Sequence, residues 1–552
     1  MLTVCHKKSM FERHCSTRYL FLFLDRSVFC PRNRLFFSIQ YAKRTKNTTF
    51  VKKNRYILYY VASAHLSILN NMMKRNLFLL LGLIFTNIIC SQSDALRKFV
   101  QDPSLKHASV GVCVTDLNTG KTILSHNADK SFTPASVMKL LTTATAIEVL
   151  GENYRYTTRV TRDADEPTRI LILGSGDPTL GSSVFLNDAN DFFIRCAGEL
   201  RRKLSPDSIY LLYVVDHLFG YDGISSEWTW YDMGNYYAAG SYGISVYDNS
   251  YRLFFSTLQN GVPPKILRTE PIIKNLSFIN MLSLNKSGRD NASINGMPFS
   301  YQRTITGDIP AGKSEFSIKG DIPDPGMYFG ETLSDYLSNA GLNVSKTETS
   351  RYDYIANYQR EKKRVAYKLG ETLFEYQSHP MKDIIREVNV HSNNHYAEHL
   401  IRAIGRYANA DIYSNALSEG TNFVVRYWAS KNMPTSSLDM KDGCGLAPQN
   451  AVSPRLINDV LSYMLNKSPY ASAFYASLPK MGQEGTLRYF MRNSKYTGKI
   501  SAKSGSIGGV QSYAGYLIDG HKKYAFTIMV NKFNGAARSQ VRNAIAELLN
   551  SL

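Results

Sequence analysis

The stretch HASVGVCVTDLNTGKTILSHNADKSFTPASVMKLLTTATAIEVLG, His107–Gly151, decides how the rest of the chain is read. Its first half alternates apolar and polar residues on either side of Asn118-Thr119-Gly120, the period-2 pattern of two strands joined through a turn. Its second half changes period. From Pro134 the apolar residues recur at helical spacing as far as Gly151, which predicts Thr133 as N-cap, Pro134 at N1 and Gly151 just past the helix end. Ser136 then falls at N3, its N–H among the unpaired donors of the first turn, with Lys139 on the same face. A hydroxyl, an amine and a free N–H meeting at one point suit acyl transfer, in which the amine takes the hydroxyl proton and the N–H holds the oxyanion. Spacing alone does not establish this, because Ser283/Lys286 and Ser477/Lys480 repeat it.

The far end of the chain mirrors this arrangement. VQSYAGYLID and KYAFTIMVNKF read as strands joined through Asp519-Gly520, and AARSQVRNAIAELLNSL reads as a closing amphipathic helix. Helices at both ends with hairpins between them predict an α/β (α+β) fold, an antiparallel sheet flanked by helices. Between about 160 and 375 the texture changes to short strand-like runs rich in Tyr, Asn and Ser, with few long helical periods. That segment reads as a large, mostly β insertion. The expected division is residues 93–160 and 376–552 as one domain in two parts, with inserted domain or domains over 161–375.

At 552 residues, 44% hydrophobic and 20% charged, the chain is long enough for two or more domains. The net charge of +20 suggests a nucleic-acid partner only until it is located. Residues 1–71 hold 13 Lys/Arg against Glu12 and Asp25, so +11 of the charge lies there and +9 in the other 481 residues. No nucleic-acid surface is expected. After this segment, Lys74 and Arg75 precede an apolar run from Leu77 to Ile89, 13 residues long, which matches a signal peptide and is short for a membrane span. The expectation is that translation starts at Met72 or Met73, that residues 1–71 are an upstream extension, and that 72–92 is a signal peptide cleaved after Cys90 or Gln92 without lipidation. The exported part would keep Cys113, Cys196 and Cys444, an odd number too sparse for a disulfide framework.

A lysine-activated serine enzyme also needs a group to relay the proton to the leaving nitrogen, and a cationic strand edge for an anionic substrate end. In VHSNNHYAEHL, Ser392 and Asn394 offer a hydroxyl and an amide at a helix mouth. In ISAKSGSIGGVQSYAGY, Lys503 supplies charge, Ser504 a hydroxyl, and Gly505 close access to the backbone. These segments resemble the SxxK, SxN and KTG motifs of the penicillin-recognising serine peptidases and β-lactamases, in that order. The resemblance narrows to the D-alanyl-D-alanine carboxypeptidase/endopeptidase family of the penicillin-binding protein 4 type, peptidase family S13. Its marks here are the step of 256 positions from Ser136 to Ser392, LILGSGDPTL around Asp177, WTWYDMGNYYAAGSYGISVYDN from Trp228, DGCGLAPQNAVSP from Asp442, and GQEGTLR from Gly482.

The resemblance implies a penicillin-binding/β-lactamase-like fold. It makes Ser136 the acylated nucleophile, Lys139 its base with a pKa lowered by burial and by Lys503, Ser392 the relay, and Asn394 the group that orients Lys139 and the substrate. Lys503 and Ser504 would bind the terminal carboxylate along the Gly505 strand. The N–H groups of Ser136 and Ser506 would form the oxyanion hole, with Thr133 capping Ala135. Peptidoglycan would be the substrate, β-lactams covalent inhibitors, the location periplasmic, and no metal or cofactor is implied. Two residues depart from the pattern: Ser504 stands in KSG where threonine is usual, and Cys444 stands in DGCGL where serine is common.

The competing readings are weaker. His395 and His399 match H-x-x-E-H, the inverted zincin motif, but no further pattern singles out a third ligand. No G-x-S-x-G nucleophile elbow occurs. A β-lactamase would not need so large an insertion, and a non-catalytic wall-binding protein would normally lack a catalytic side chain.

Overall fold

The computed structural model describes residues 94–185, 188, 190–259, 263–351 and 367–552. The proposed upstream extension and signal peptide lie outside these residues. Among the described residues no helix is long and apolar enough to cross a membrane.

The quoted stretch folds as two strands and a helix. Ser109–Asp116 and Thr122–His126 pair antiparallel. Their turn closes with Gly120 N–H donating to the Asp116 carbonyl (2.8 Å), while the Asp116 side chain accepts from Asn118 N–H (2.8 Å). The C-terminal strands Ile500–Ile507, Val510–Asp519 and Lys522–Asn531 join them in one antiparallel sheet. Its order is 500–507, 510–519, 522–531, 109–116, 122–126, so the first and last strands of the domain meet at its centre and Ile500–Ile507 forms an edge.

Alternation along Ser109–Asp116 sorts side chains to two cores. Val110, Val112 and Val114 pack with Val541, Ile545, Leu548 and Leu549 of the closing helix Arg538–Ser551. On the other face Gly111 leaves room for Phe132 and Pro454, each within 3 Å of where a Cβ would lie. That second face carries the helices Lys139–Leu150, Met381–His391, Asn394–Ala408, Ala416–Ser430 and Pro454–Asn466. Lys139–Leu150 is buried on every side from Lys139 to Ile147, as a central helix must be. Leu140, Leu141 and Ile147 are fully buried, each contributing up to roughly 1.5–3 kcal/mol. Its threonines stay satisfied: Thr142 donates to the Gly443 carbonyl (2.6 Å), Thr143 to Lys139 (2.7 Å) and Thr145 to Leu141 (2.8 Å).

The insertion builds further sheets. One has the order 343–349, 209–215, 169–173, 157–163, 369–377 and is parallel across its first three strands. The strands by which the chain leaves and returns, Thr157–Asp163 and Leu369–Gln377, pair within it. Beyond it lie small, mostly two- and three-stranded pairings around Leu253, Ile294, Ile305 and Ile309. Two helices the sequence pattern does not announce, Asp191–Lys203 and Pro325–Asn339, cover the larger sheet. The second is capped by Asp324, whose side chain accepts from Met327 N–H (3.0 Å). Gly330 lets it approach, since a Cβ there would lie 2.4 Å from Thr347 and 2.8 Å from Val214.

Candidate active site

The helix carrying Ser136 begins differently from the expected capped turn. Ala135–Met138 is a 3-10 turn, and the α-helix proper starts at Lys139. Ala135 has φ of +49°, an unfavourable value for a residue with a Cβ, immediately before Ser136. Thr133 caps nothing: its hydroxyl donates to the Pro448 carbonyl (3.2 Å), because the bend at Ala135 carries the chain away from a capping position. The bend is held from below by Gly445, whose absent side chain admits the Ala135 carbonyl to 2.0 Å from where a Cβ would be.

Lys139 is fully buried, and its Nζ makes three bonds: 3.0 Å to Ser136 Oγ, 2.6 Å to Asn394 Oδ1 and 2.7 Å to the Cys444 carbonyl. Burial pushes its pKa below the ordinary lysine value, against the pull of the nearby Cys444, Asp442 and Glu398. Lys503 is buried too, and its pKa is driven well down first by burial and then by the Lys139 amine.

The groups around Lys139 are fixed from several elements. Asn394 Nδ2 donates to the Tyr237 carbonyl of the insertion (2.8 Å). The Cys444 carbonyl is set by a loop tied down at both ends. Glu398 Oε1 accepts from the N–H groups of Gly443 (2.7 Å) and Cys444 (2.9 Å), and its Oε2 from Arg402 (2.7 Å). Asp442 accepts from Gly445 and Ala447 N–H, Asn450 Nδ2 and Trp228 Nε1, all within 2.9 Å. Glu398, Asp442 and Cys444 cluster closely enough to suggest a metal site. Their carboxylate oxygens are already occupied by N–H donors, so the chemistry of the cluster is that of a clamp on the lysine's carbonyl partner.

Ser392 ends the helix Met381–His391 in a left-handed conformation (φ +60°), which turns its hydroxyl toward the sheet. Lys503 Nζ donates to Ser392 Oγ (2.9 Å) and to the Ser504 carbonyl (2.7 Å). Ser504 Oγ bonds to Thr486 Oγ1 (2.9 Å). Gly505 lies against the Ser136 turn, its position for a Cβ being 3.0 Å from Ser136 N and Val137 N and 2.6 Å from the Pro134 carbonyl. Ser506 is exposed and its hydroxyl bonds to Arg538. Ser136, Lys139, Ser392, Asn394, Lys503, Ser504 and Gly505 thus converge from three stretches of chain, with Ser506 just beyond.

The decoys are elsewhere. Ser477 is buried between the Phe474 carbonyl (2.6 Å) and Asn389 (2.9 Å), and Ser283 opens a small strand of the insertion. His395 and His399 are buried with ring centres 4.4 Å apart. His399 is held between Ser245 (2.9 Å) and the Gly176 carbonyl (2.8 Å), and burial takes the pKa of His395 down to about 3. Sequence reasoning missed Glu398, Asp442, Tyr237 and Thr486. Glu398 enters there only as the acid of H-x-x-E-H and the segments of the other three only as marks of resemblance, and Asp442 in DGCGLAPQN was the available signal.

The sequence model of the D-Ala-D-Ala carboxypeptidase 3 (S13) family matches residues 92–552. The chain belongs to that family. Membership makes it a D-Ala-D-Ala carboxypeptidase by class. It is 26% identical over 471 residues to a D-alanyl-D-alanine carboxypeptidase of Actinomadura sp. (strain R39), covering 82% of this chain and 83% of the relative. It is 25% identical over 434 residues to penicillin-sensitive carboxypeptidase A of Dictyostelium discoideum, covering 74% and 80%. Among solved structures, penicillin binding protein 4 (dacB) from Haemophilus influenzae superposes with a TM-score of 0.68 at 18% identity, over 82% of this chain and 97% of that one. This last likeness is one of fold, and the fold is the penicillin-binding, β-lactamase-like one expected.

Proposed function

We propose that Ser136 is the nucleophile of a serine peptidase that removes the last residue of D-alanyl-D-alanine stems in peptidoglycan and also opens D-alanyl cross-links. The observation that carries this reading is the bonding of Lys139, buried, deprotonation-prone and 3.0 Å from Ser136 Oγ. Neutral Lys139 takes the Ser136 proton as Oγ attacks the carbonyl carbon of the penultimate D-alanine. The N–H groups of Ser136 and Ser506 hold the oxyanion, while the substrate lies along the Ile500–Ile507 edge as an added strand. Its terminal carboxylate meets Ser504 and Lys503. Ser392, bonded to Lys503 (2.9 Å), passes a proton to the leaving nitrogen, and water then releases the acyl group. Penicillin would follow the first half of this route and remain on Ser136.

The enzyme would work in the periplasm, a reading supported by the charged n-region and apolar core at 74–89, which lie outside the described residues. Fluorescent penicillin followed by peptide mapping tests the assignment. An adduct on the Ser136 peptide, absent in Ser136→Ala together with D-alanine release, is expected. An adduct elsewhere, or undiminished release in that variant, overturns it.

A further inference from the structure

A cleft with a volume of about 700 Å³ opens at one end of the five-stranded sheet, between the start of Ser109–Asp116, the end of Thr122–His126 and the residue after Lys522–Asn531. None of Ser136, Lys139, Ser392, Asn394 and Lys503 lines it. Its walls are tied together by the protein's own bonds. Asn531 accepts from Thr133 N–H (2.8 Å) and donates to the Thr133 carbonyl (3.1 Å), and Asn127 Nδ2 donates to the Val110 carbonyl (2.9 Å). Phe132 and Val452 exchange backbone bonds in both directions (3.0 Å each). A cleft held in this way costs a ligand little ordering.

The charge on this lining has one sign. Lys106, Lys130 and Lys532 reach it from three separate segments, together with His126, and among the described residues no Asp or Glu lines it. The three lysines are exposed, and their amines have no hydrogen-bond or ion-pair partner among the described residues. The carboxylates nearest to them in sequence are committed elsewhere. Asp129 holds Arg455 with both oxygens, and Asp102 accepts from the Ser104 hydroxyl (2.6 Å) and lines a different cleft, against the closing helix. Lys532 is also held at φ +61°, an unfavourable value for a lysine that its surroundings must impose. Like charges converging on a concave surface focus the field and draw in an anion. The rest of the lining narrows the class of anion. Its one phenyl ring, Phe132, is buried, so no nucleobase can stack there, and apart from Pro448 no apolar side chain on it is exposed to meet an acyl chain. Ser109 and Gln449 offer an exposed hydroxyl and amide, which suit groups that both donate and accept, as sugar hydroxyls do.

We propose that this cleft is a second, non-catalytic site, and that Lys106, Lys130 and Lys532 bind there an anionic saccharide, a sugar chain bearing carboxylates or phosphates. Such a site holds the protein on a glycan by contacts separate from those it makes to a peptide. The proposal stands on the cleft alone, so its failure would leave the reading of Ser136 untouched.

Calorimetry with defined probes tests this. The probes are an alternating N-acetylglucosamine–N-acetylmuramic acid tetrasaccharide freed of stem peptides, which carries lactyl carboxylates, a phosphorylated chitotetraose, plain chitotetraose, and tetraglutamate. An exposed charge pair is worth a factor of about two, so the three lysines together give roughly tenfold. At least one anionic saccharide should therefore bind about tenfold more tightly than plain chitotetraose, and the tighter of the two assigns the anion as carboxylate or phosphate. The advantage should shrink as salt rises. Lys106→Gln, Lys130→Gln and Lys532→Gln together should erase it, with melting temperature and penicillin acylation unchanged. Lys265→Gln, Lys286→Gln and Lys313→Gln, a triple change of equal charge at exposed positions of the insertion, should preserve it. Equal or absent binding of charged and neutral saccharides, tighter binding of tetraglutamate than of either anionic saccharide, or an equal loss in both triple variants overturns the proposal.

Discussion

Gly505→Ala asks whether the closeness of the edge strand to the nucleophile turn governs the chemistry. The added Cβ would lie 2.6 Å from the Pro134 carbonyl and 3.0 Å from Ser136 N and Val137 N, where ordinary contact begins at 3.4 Å. Neither neighbour is a flexible side chain, and Ala135 between them is already held in a left-handed conformation. Restoring contact needs a separation of about 0.4–0.8 Å between strand and turn. That displacement pulls the Ser506 N–H and the Ser504 hydroxyl away from the Ser136 hydroxyl, and a misplacement near 1 Å costs on the order of 10²-fold in rate, about 2.7 kcal/mol of barrier. The second-order rate of penicillin acylation should therefore fall by roughly 10²-fold, with the melting temperature only slightly lower because the strand stays paired to Val510–Asp519. Acylation within threefold of the parent would refute the reasoning, as would a loss of activity explained by global unfolding.

Four further outcomes are expected. Lys139→Ala should slow acylation by orders of magnitude with the fold intact, while Ser283→Ala and Ser477→Ala should leave the penicillin adduct in place, as mass mapping will show. The rate of acylation should fall as pH drops through the folded-state pKa of Lys139: burial lowers that value, so the neutral base persists to lower pH than in a free lysine, and the acid limb in a kcat/KM profile should lie below the ordinary lysine pKa. Glu398→Ala should cost about 3–5 kcal/mol in denaturant unfolding, because it strands the buried Arg402 charge and two backbone N–H groups, and Glu398→Gln should cost less. A strong chelator should leave peptidase activity unchanged, and zinc-reversible inactivation would revive the metallopeptidase reading of His395 and His399.

What could be read from the sequence was whatever repeats at short range. The two hairpins around Gly120 and Gly520 and the closing helix follow from short-range pattern, because the hairpins are strands of one sheet and the helix buries one face against it. The start of the helix after Ser136 differs from the expectation for a local reason. Thr-Pro has the composition of an N-cap, yet the backbone bend at Ala135 is imposed by Gly445 and Gly505, more than three hundred residues away. The helix Pro325–Asn339 was obscured by Gly326 and Gly330, which lower helix propensity but are required by contacts with Asp216, Val214 and Thr347. The order of the motifs identified Ser136, Lys139, Ser392, Asn394 and Lys503 as candidates. The residues that aim them could not be found in this way, since the Tyr237 carbonyl and Glu398 act through backbone groups that leave no motif of their own.

An unpaired sheet edge is also a hazard, because it offers its amides to any extended chain, including a second copy of this one. Here the exposure is rationed. At one end Ala502 N–H is taken by the Pro479 carbonyl (3.1 Å) and the Ile500 carbonyl by Met481 N–H (2.8 Å); at the other Arg538 binds Ser506 and the Ile507 carbonyl. Among the described residues the stretch left open is about Lys503–Ser506, within which Lys503 Nζ already donates to the Ser504 carbonyl (2.7 Å); it is too short to template a fibril, and a neighbouring copy's backbone would have to desolvate that amine. The edge thus leaves room for a short peptide while resisting self-association, and shortening the Pro479–Met481 cover should make the strand aggregate.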